Sequence, residues 1–266
     1  MSFEIVDFHT HPFLTPDCNI CRYKYFSDRI TAADTRRDLE SLGITRICGS
    51  VIAPYNKETL SWADVRRAND IALELKALYG DFYEVGFHIH PAFIRESCEE
   101  IERMHGLGVR LIGELLPYFH MWRDLSLDYG SRELSEILDV AEDYGMIVSL
   151  HTQDEEGLDK MVREHPNLTV VAAHPGEAAT YERHLARMKL SENYYLDLSG
   201  SGGPLRFAST RNAIDKVGVE RLLFGSDYPT CQAGIMIGSI LMDYTLTDTE
   251  KEYIFSKNAR RLLKLD

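Results

Sequence analysis

The chain has 266 residues, 44% of them hydrophobic, which is enough for a sizeable core and excludes a disordered polymer. Lys and Arg number 29 against 42 Asp and Glu, a formal charge of −13, so the surface repels phosphate backbones and nucleic-acid binding is not expected. No apolar run reaches the length of a membrane span, no secretory leader is evident, and five cysteines, an odd and low number, suit a reduced cytoplasmic protein.

In chain order, short apolar runs alternate with longer amphipathic stretches. Ile5–His9 reads as a strand and Ala32–Leu42 as a helix. Thr45–Ile52 then pairs with Trp62–Tyr79, Tyr83–His90 with Ile94–His105, and Arg110–Leu116 with Glu133–Tyr144. Ile147–Gln153 precedes Glu156–Glu164, Thr169–His174 precedes Ala178–Met188, and Tyr195–Ser199 precedes Arg206–Val217. Leu222–Tyr228 leads into Gly234–Tyr244, and Glu250–Leu263 is a last helix. The greasy stretch Ala233–Met242 is too short to span a bilayer and reads as a buried helix. Gly43, Gly80, Gly108, Gly145 and Gly218 fall between a helix and the next strand, where a helix C-cap favours positive φ. Eight strand–helix units predict an α/β fold, a (β/α)8 TIM barrel with a C-terminal extra helix, in one domain over residues 1–266. The alternative, an open doubly wound sheet, usually carries a glycine-rich first turn, and here that turn reads His-Thr-His-Pro.

In such a barrel the site lies at the C-terminal ends of the strands. His9 and His11 end the first strand, Glu114 lies in the fourth, and His151 and His174 end the fifth and sixth. Asp227 stands in Phe224-Gly-Ser-Asp-Tyr-Pro229 at the end of the eighth. Imidazoles and carboxylates are ligands of divalent ions, so these six residues form a candidate metal site. Zinc is the first candidate, as one or two ions, and manganese, iron or cobalt would suit the same donors. Asp227 could also take a proton from water activated by such an ion. An H-x-H pair alone is weak evidence, since His88–His90 repeats it; the partners on four other strands carry the weight.

These pieces, Asp7-x-His9-x-His11, Glu114, His151, His174 and the FGSDYP segment, resemble the amidohydrolase superfamily of metal-dependent hydrolases. The closing Asn258-Ala-Arg-Arg-Leu-Leu263 resembles the terminal helix of its amidohydrolase-2 branch. The resemblance implies that His9, His11 and Asp227 hold the more buried ion and His151 and His174 a second. Glu114 bridges, where many relatives use a carboxylated lysine. It further implies hydroxide attack on a small-molecule substrate with Asp227 as general base and acid, hence hydrolysis of an amide, ester or lactone. In relatives with one ion the residue matching His174 acts as base or electrophile, so the ion count stays open. A metal-dependent decarboxylase of the same branch is the alternative; a TatD-like phosphodiesterase and a non-catalytic barrel rank lower.

Several further residues are candidates for the substrate. His90 ends the third strand, and Tyr118-Phe-His-Met-Trp-Arg123 supplies Tyr118, His120 and Arg123 after the fourth. Arg206 closes Ser199-Gly-Ser-Gly-Gly-Pro-Leu-Arg206, either an anion site at a helix start or a plain glycine turn. Asp7 could orient an imidazole or neighbouring backbone, or be a buried structural acid. His88, His105, His165 and His184 read as structural. Cys18 and Cys21 read as two reduced thiols, with Cys231 on the active rim. No partner besides a small molecule is expected, and a homo-oligomer is compatible with the sequence.

Overall fold

The computed structural model of the protein describes residues 3–21, 30–52, 60–200 and 208–265. Eight parallel strands follow one another in the sheet in chain order. They are β1 (Ile5–Asp7), β2 (Ile44–Ser50), β3 (Tyr83–Phe87), β4 (Leu111–Leu115), β5 (Ile147–His151), β6 (Thr169–Ala173), β7 (Tyr194–Asp197) and β8 (Leu222–Leu223). Backbone bonds from Phe8 N to the Phe224 oxygen (2.9 Å), from His11 N to the Tyr228 oxygen (2.7 Å) and from Asp227 N to the His9 oxygen (2.8 Å) join the two ends. The sheet is therefore a closed TIM barrel, and its seam is made by the segments that carry His9, His11 and Asp227.

Between the strands run α1 (Ala32–Ser41), α2 (Trp62–Tyr79), α3 (Ile94–Gly106), α4 (Arg132–Asp143), α5 (Glu155–Glu164), α6 (Ala178–Leu190) and α7 (Ser209–Val217). After β8 come α8 (Ala233–Leu241), α9 (Asp248–Glu252) and α10 (Asn258–Leu263), the last two joined by a π-helical turn, Tyr253–Lys257. Local chemistry starts several of these helices. Thr31 with Asp34, Ser61 with Asp64 and Thr247 with Glu250 form capping boxes that satisfy the first free backbone donors. The five helix-ending glycines all take positive φ.

Apolar side chains fill two regions. A large cluster lies between barrel and helices and includes Ile47, Val85, Ile112, Leu115, Val148, Leu150, Val170 and Leu196. A smaller one brings together Val6, Cys48, Leu111, Ile147, Val171 and Leu223, from six strands, with Ala259 and Leu263 of α10. It fills the barrel interior below the mouth, and the terminal helix plugs it. Two expectations need correction. The strands stop short: β1, β3 and β8 end at Asp7, Phe87 and Leu223, so His9, His11, His90 and Asp227 stand on the turns beyond them. And α8 is only half buried: Met236, Ile237 and Ile240 face the core while Ile235, Leu241 and Met242 face solvent, because the helix packs along one stripe.

Candidate metal centre

β1 ends at Asp7, and its chain then turns into the barrel mouth. Asp7 is fully buried; one carboxylate oxygen accepts the backbone N–H of His9 (3.3 Å) and of Ser226 (2.9 Å), which ties the β1 turn to the β8 turn. Its task is thus to hold backbone. His9 and His11 meet edge to face, their ring centres 5.0 Å apart and their Nε2 atoms 3.3 Å apart. Asp227 Oδ1 lies 3.7 Å from His9 Nε2 and 3.4 Å from His11 Nε2. Residues 218 positions apart are thereby placed against one another, as the sequence reading required.

Glu114 reaches the same point by a local irregularity. Leu111 faces the barrel interior, so strict alternation would turn Glu114 outward. But Ile112 pairs with Val148 while Leu115 pairs with Leu150, three steps along β4 for two along β5. This bulge restores Glu114 to the inner face. Its Oε2 is 3.3 Å from His9 Nε2 and 3.2 Å from His11 Nε2. Its Oε1 faces the other way, 3.0 Å from His151 Nδ1 and 3.7 Å from His174 Nε2. One carboxylate therefore sits between two donor sets: His9, His11 and Asp227, and His151 and His174.

These donors fit divalent ions. Two ligands each about 2.1 Å from one ion and roughly at right or tetrahedral angles lie about 3.0–3.4 Å from each other, and the observed spacings run from 3.0 to 3.7 Å. The chemistry agrees. His9 Nδ1 is 2.9 Å from Asp197 Oδ2, an acceptor, so the ring proton resides on Nδ1 and the Nε2 lone pair points at two carboxylate oxygens. With the rings neutral, such convergence of electron pairs would be relieved by a cation between them.

The titration tendencies express the same demand. Burial opposes charge on His9, but the carboxylates of Asp197 and Glu114 outweigh it and hold the imidazole well above its ordinary value. His11 is raised too, burial being overcome by Asp227 and Glu114. Burial alone would raise both acids; the surrounding histidines instead keep Glu114 well below the usual range and Asp227 at about 2. A proton on each imidazole would answer the same demand as an ion. Backbone strain also collects here. His174 (φ 67°) and Asp227 (φ 60°) are left-handed although neither is glycine, a conformation costing about 1–3 kcal/mol that the surrounding packing must hold.

Among the substrate candidates, Tyr118 is 47% exposed and its ring centre lies 5.2 Å from that of His151, at the mouth. Arg123 is exposed on the same loop, and Arg206 lies outside the described residues. His90 turns inward instead: Nε2 meets the His120 carbonyl (2.8 Å) and Nδ1 accepts from Ala92 N (3.1 Å). The strand it was read from ends at Phe87, and its chain has already bent to pack the following loop. His120 is fully buried, against His88 at 4.7 Å between ring centres, rather than displayed at the mouth. Burial keeps His88 and His90 near 4, so both are neutral spacers. His165 and His184 are engaged with Ser135 and with Thr152 and Tyr194, as structural residues are. Cys18 and Cys21 are buried.

Two residues at the centre escaped the sequence reading, Asp197 and Ser199. Their signal was present: in Asp197-Leu-Ser199, at the end of β7, a polar pair shares one face at the barrel mouth. Glycine makes room for the whole arrangement. A Cβ on Gly225 would stand 2.7 Å from His9 Cβ, and one on Gly200 2.6 Å from His174 Nδ1.

The family model described as Amidohydrolase matches residues 6–265. No curated protein sequence matches the chain significantly. Among solved structures, 2,6-dihydroxybenzoate decarboxylase from Rhizobium superimposes with a TM-score of 0.77 at 19% identity, over 99% of each chain. An uncharacterised TIM-barrel protein from Bordetella bronchiseptica gives 0.74 at 21%, over 98% of each. A dihydroxybenzoic acid decarboxylase from Polaromonas sp., with bound manganese and the inhibitor 2-nitroresorcinol, gives 0.69 at 14%, over 99% of this chain and 97% of that one. At such identities the likeness is one of fold.

Proposed function

The chain belongs to the amidohydrolase family, and from that premise we propose that it is a metal-dependent hydrolase of a small molecule, cleaving an amide, ester or lactone. The observation that carries this reading is the placement of Glu114, with Oε2 against His9 and His11 and Oε1 against His151. A carboxylate shared by two donor sets suits two ions side by side, the arrangement for activating water beside a polarised carbonyl. His9, His11 and Asp227 would hold one ion, and His151 and His174 the other. Bound there, a divalent ion supplies Lewis acidity, which acidifies water and polarises a carbonyl.

The chain's own groups do the rest. Asp227 is ionised at neutral pH. Its Oδ1 faces the histidine pair, which leaves Oδ2 to take a proton from the attacking water and return it to the leaving group. Tyr118 offers an aromatic face to a substrate entering beside His151. Zinc remains the first candidate, and manganese, which one structural neighbour binds, suits the same donors.

A second reading has its own support. Two of the structural neighbours named above are decarboxylases. In a one-ion decarboxylase His174 would face substrate and Glu114 would be dispensable. Elemental analysis of the purified chain, with assays on ester, lactone and amide panels and on hydroxybenzoates, separates the two. Two ions per chain, hydrolysis, and a loss of at least about a hundredfold in Glu114→Gln are expected. One ion, carbon dioxide release and full activity in that variant would establish the lyase instead.

A further inference from the structure

The rings of His9 and His174 lie nearly parallel, their centres 5.0 Å apart, and each belongs to a different donor set. Behind them, on the side away from Glu114, stand Asp197 and Ser199, both completely buried. Their contacts leave one consistent pattern of protons. Asp197 Oδ2 lies 2.9 Å from His9 Nδ1. Asp197 Oδ1 accepts the backbone N–H of Ser199 at 2.9 Å and the Ser199 hydroxyl as well. Ser199 Oγ in turn lies 2.9 Å from His174 Nδ1 and 3.1 Å from His9 Nδ1.

A carboxylate only accepts, and a serine hydroxyl has one proton to give. If that proton went to His174, the hydroxyl and carboxylate oxygens would meet lone pair to lone pair in a buried site. The Ser199 hydroxyl therefore donates to Asp197, and its oxygen accepts from His174 Nδ1–H. His9 Nδ1–H goes to the nearer carboxylate oxygen. Each imidazole is left with an unprotonated Nε2, turned toward Glu114.

We propose that Ser199 is a positioning residue through which the single carboxylate of Asp197 fixes the ring tautomers of both His9 and His174, one imidazole in each ligand set. Asp197 acts on His9 directly and on His174 through the Ser199 hydroxyl. A ligating imidazole needs its other nitrogen held by such a partner, which fixes the ring and strengthens its lone pair. Gly200 is part of the device, since any side chain there would strike His174 Nδ1. This inference rests on the two-ion reading only for its consequence, the loading of both sets; the proton pattern stands by itself.

The test uses the full-length, zinc-loaded chain with 15N-labelled histidine, read by long-range nitrogen–proton correlation and by elemental analysis. In the unaltered chain His9 and His174 are expected to be protonated at Nδ1. Ser199→Ala should remove the protected Nδ1–H signal of His174, leave that of His9, and lower the ion content from two per chain to one. Asp197→Asn can donate to His9 and so reverse its tautomer; both signals and both ions should be lost. Ser199→Thr, which keeps the hydroxyl, should restore the His174 signal and so separates this role from a general loss of folding. Protonation of His174 at Nε2 in the unaltered chain would overturn the proposal. So would a Ser199→Ala chain with its His174 signal and ion content unchanged. One ion in the unaltered chain, with the stated tautomers present and sensitive to Ser199→Ala, would sink the two-ion reading while supporting the relay.

Discussion

At the scale of single residues, the proposed centre would set protons against ions. His9 and His11 have proton affinities raised by Asp197, Glu114 and Asp227, against the opposing effect of burial. Glu114 and Asp227 are shifted the other way and stay ionised through the range where imidazoles titrate. The sign follows: as pH falls through the raised histidine values, protons displace the ion, and the carboxylates do not contribute. Ion affinity should therefore climb with pH and keep climbing above 6.5, the ordinary imidazole value, by about tenfold per unit for each proton displaced. Equilibrium dialysis across pH 5 to 8 with elemental analysis measures this; a plateau starting below the ordinary imidazole value would show that the cluster does not hold protons as described.

At the scale of elements, the strand ends do the positioning, and they do so by departing from regular structure. The β4 bulge turns Glu114 inward, and the turn after β8 carries Asp227 in a left-handed conformation. That second turn can pass close to β1 only because residue 225 is glycine. Gly225→Ala would drive a methyl group to 2.7 Å from His9 Cβ and 3.0 Å from Ser199 Cβ, with rigid neighbours on both sides. A loss of about 1–3 kcal/mol in urea unfolding is expected, together with reduced ion content. Gly238→Ala, on α8 with nothing within 4 Å, is the control. It should be neutral or stabilising by up to about 1 kcal/mol, because alanine favours the helix. Equal behaviour of the two variants would refute the close-approach argument.

At the scale of the whole molecule, donors within β4 and β5 and on the turns that follow β1, β6 and β8 converge at one mouth, so an ion would tie together elements from both ends of the chain. Anything that binds only the folded barrel stabilises it, by about 2.7 kcal/mol when free ligand stands at a hundred times its dissociation constant. Removing ions with a chelator should therefore lower the unfolding midpoint, and readdition of zinc or manganese should restore it. A midpoint indifferent to chelation would mean that the donor set is not loaded. The net charge of −13 acts at this scale as well: it argues for small substrates over polyanions, whatever the local chemistry.

The sequence by itself determined the architecture and the donor list. Alternating apolar periods, capping residues and helix-ending glycines are local signals, and they specify eight βα units because each is written within a few residues. The candidate donors were legible for a related reason: His9, His11, His151, His174 and Asp227 stand at the ends of apolar runs, where a barrel places its chemistry. Only the tertiary structure decided what those residues face. Glu114 points inward through a bulge that alternation does not reveal, and His90 and His120 are buried, His90 against the His120 carbonyl, instead of being exposed to a substrate. Asp197 and Ser199 gain their role from rings 188 and 25 residues away. Hydrogen-bond direction and side-chain facing depend on neighbours distant in sequence, and those are fixed only when the barrel closes.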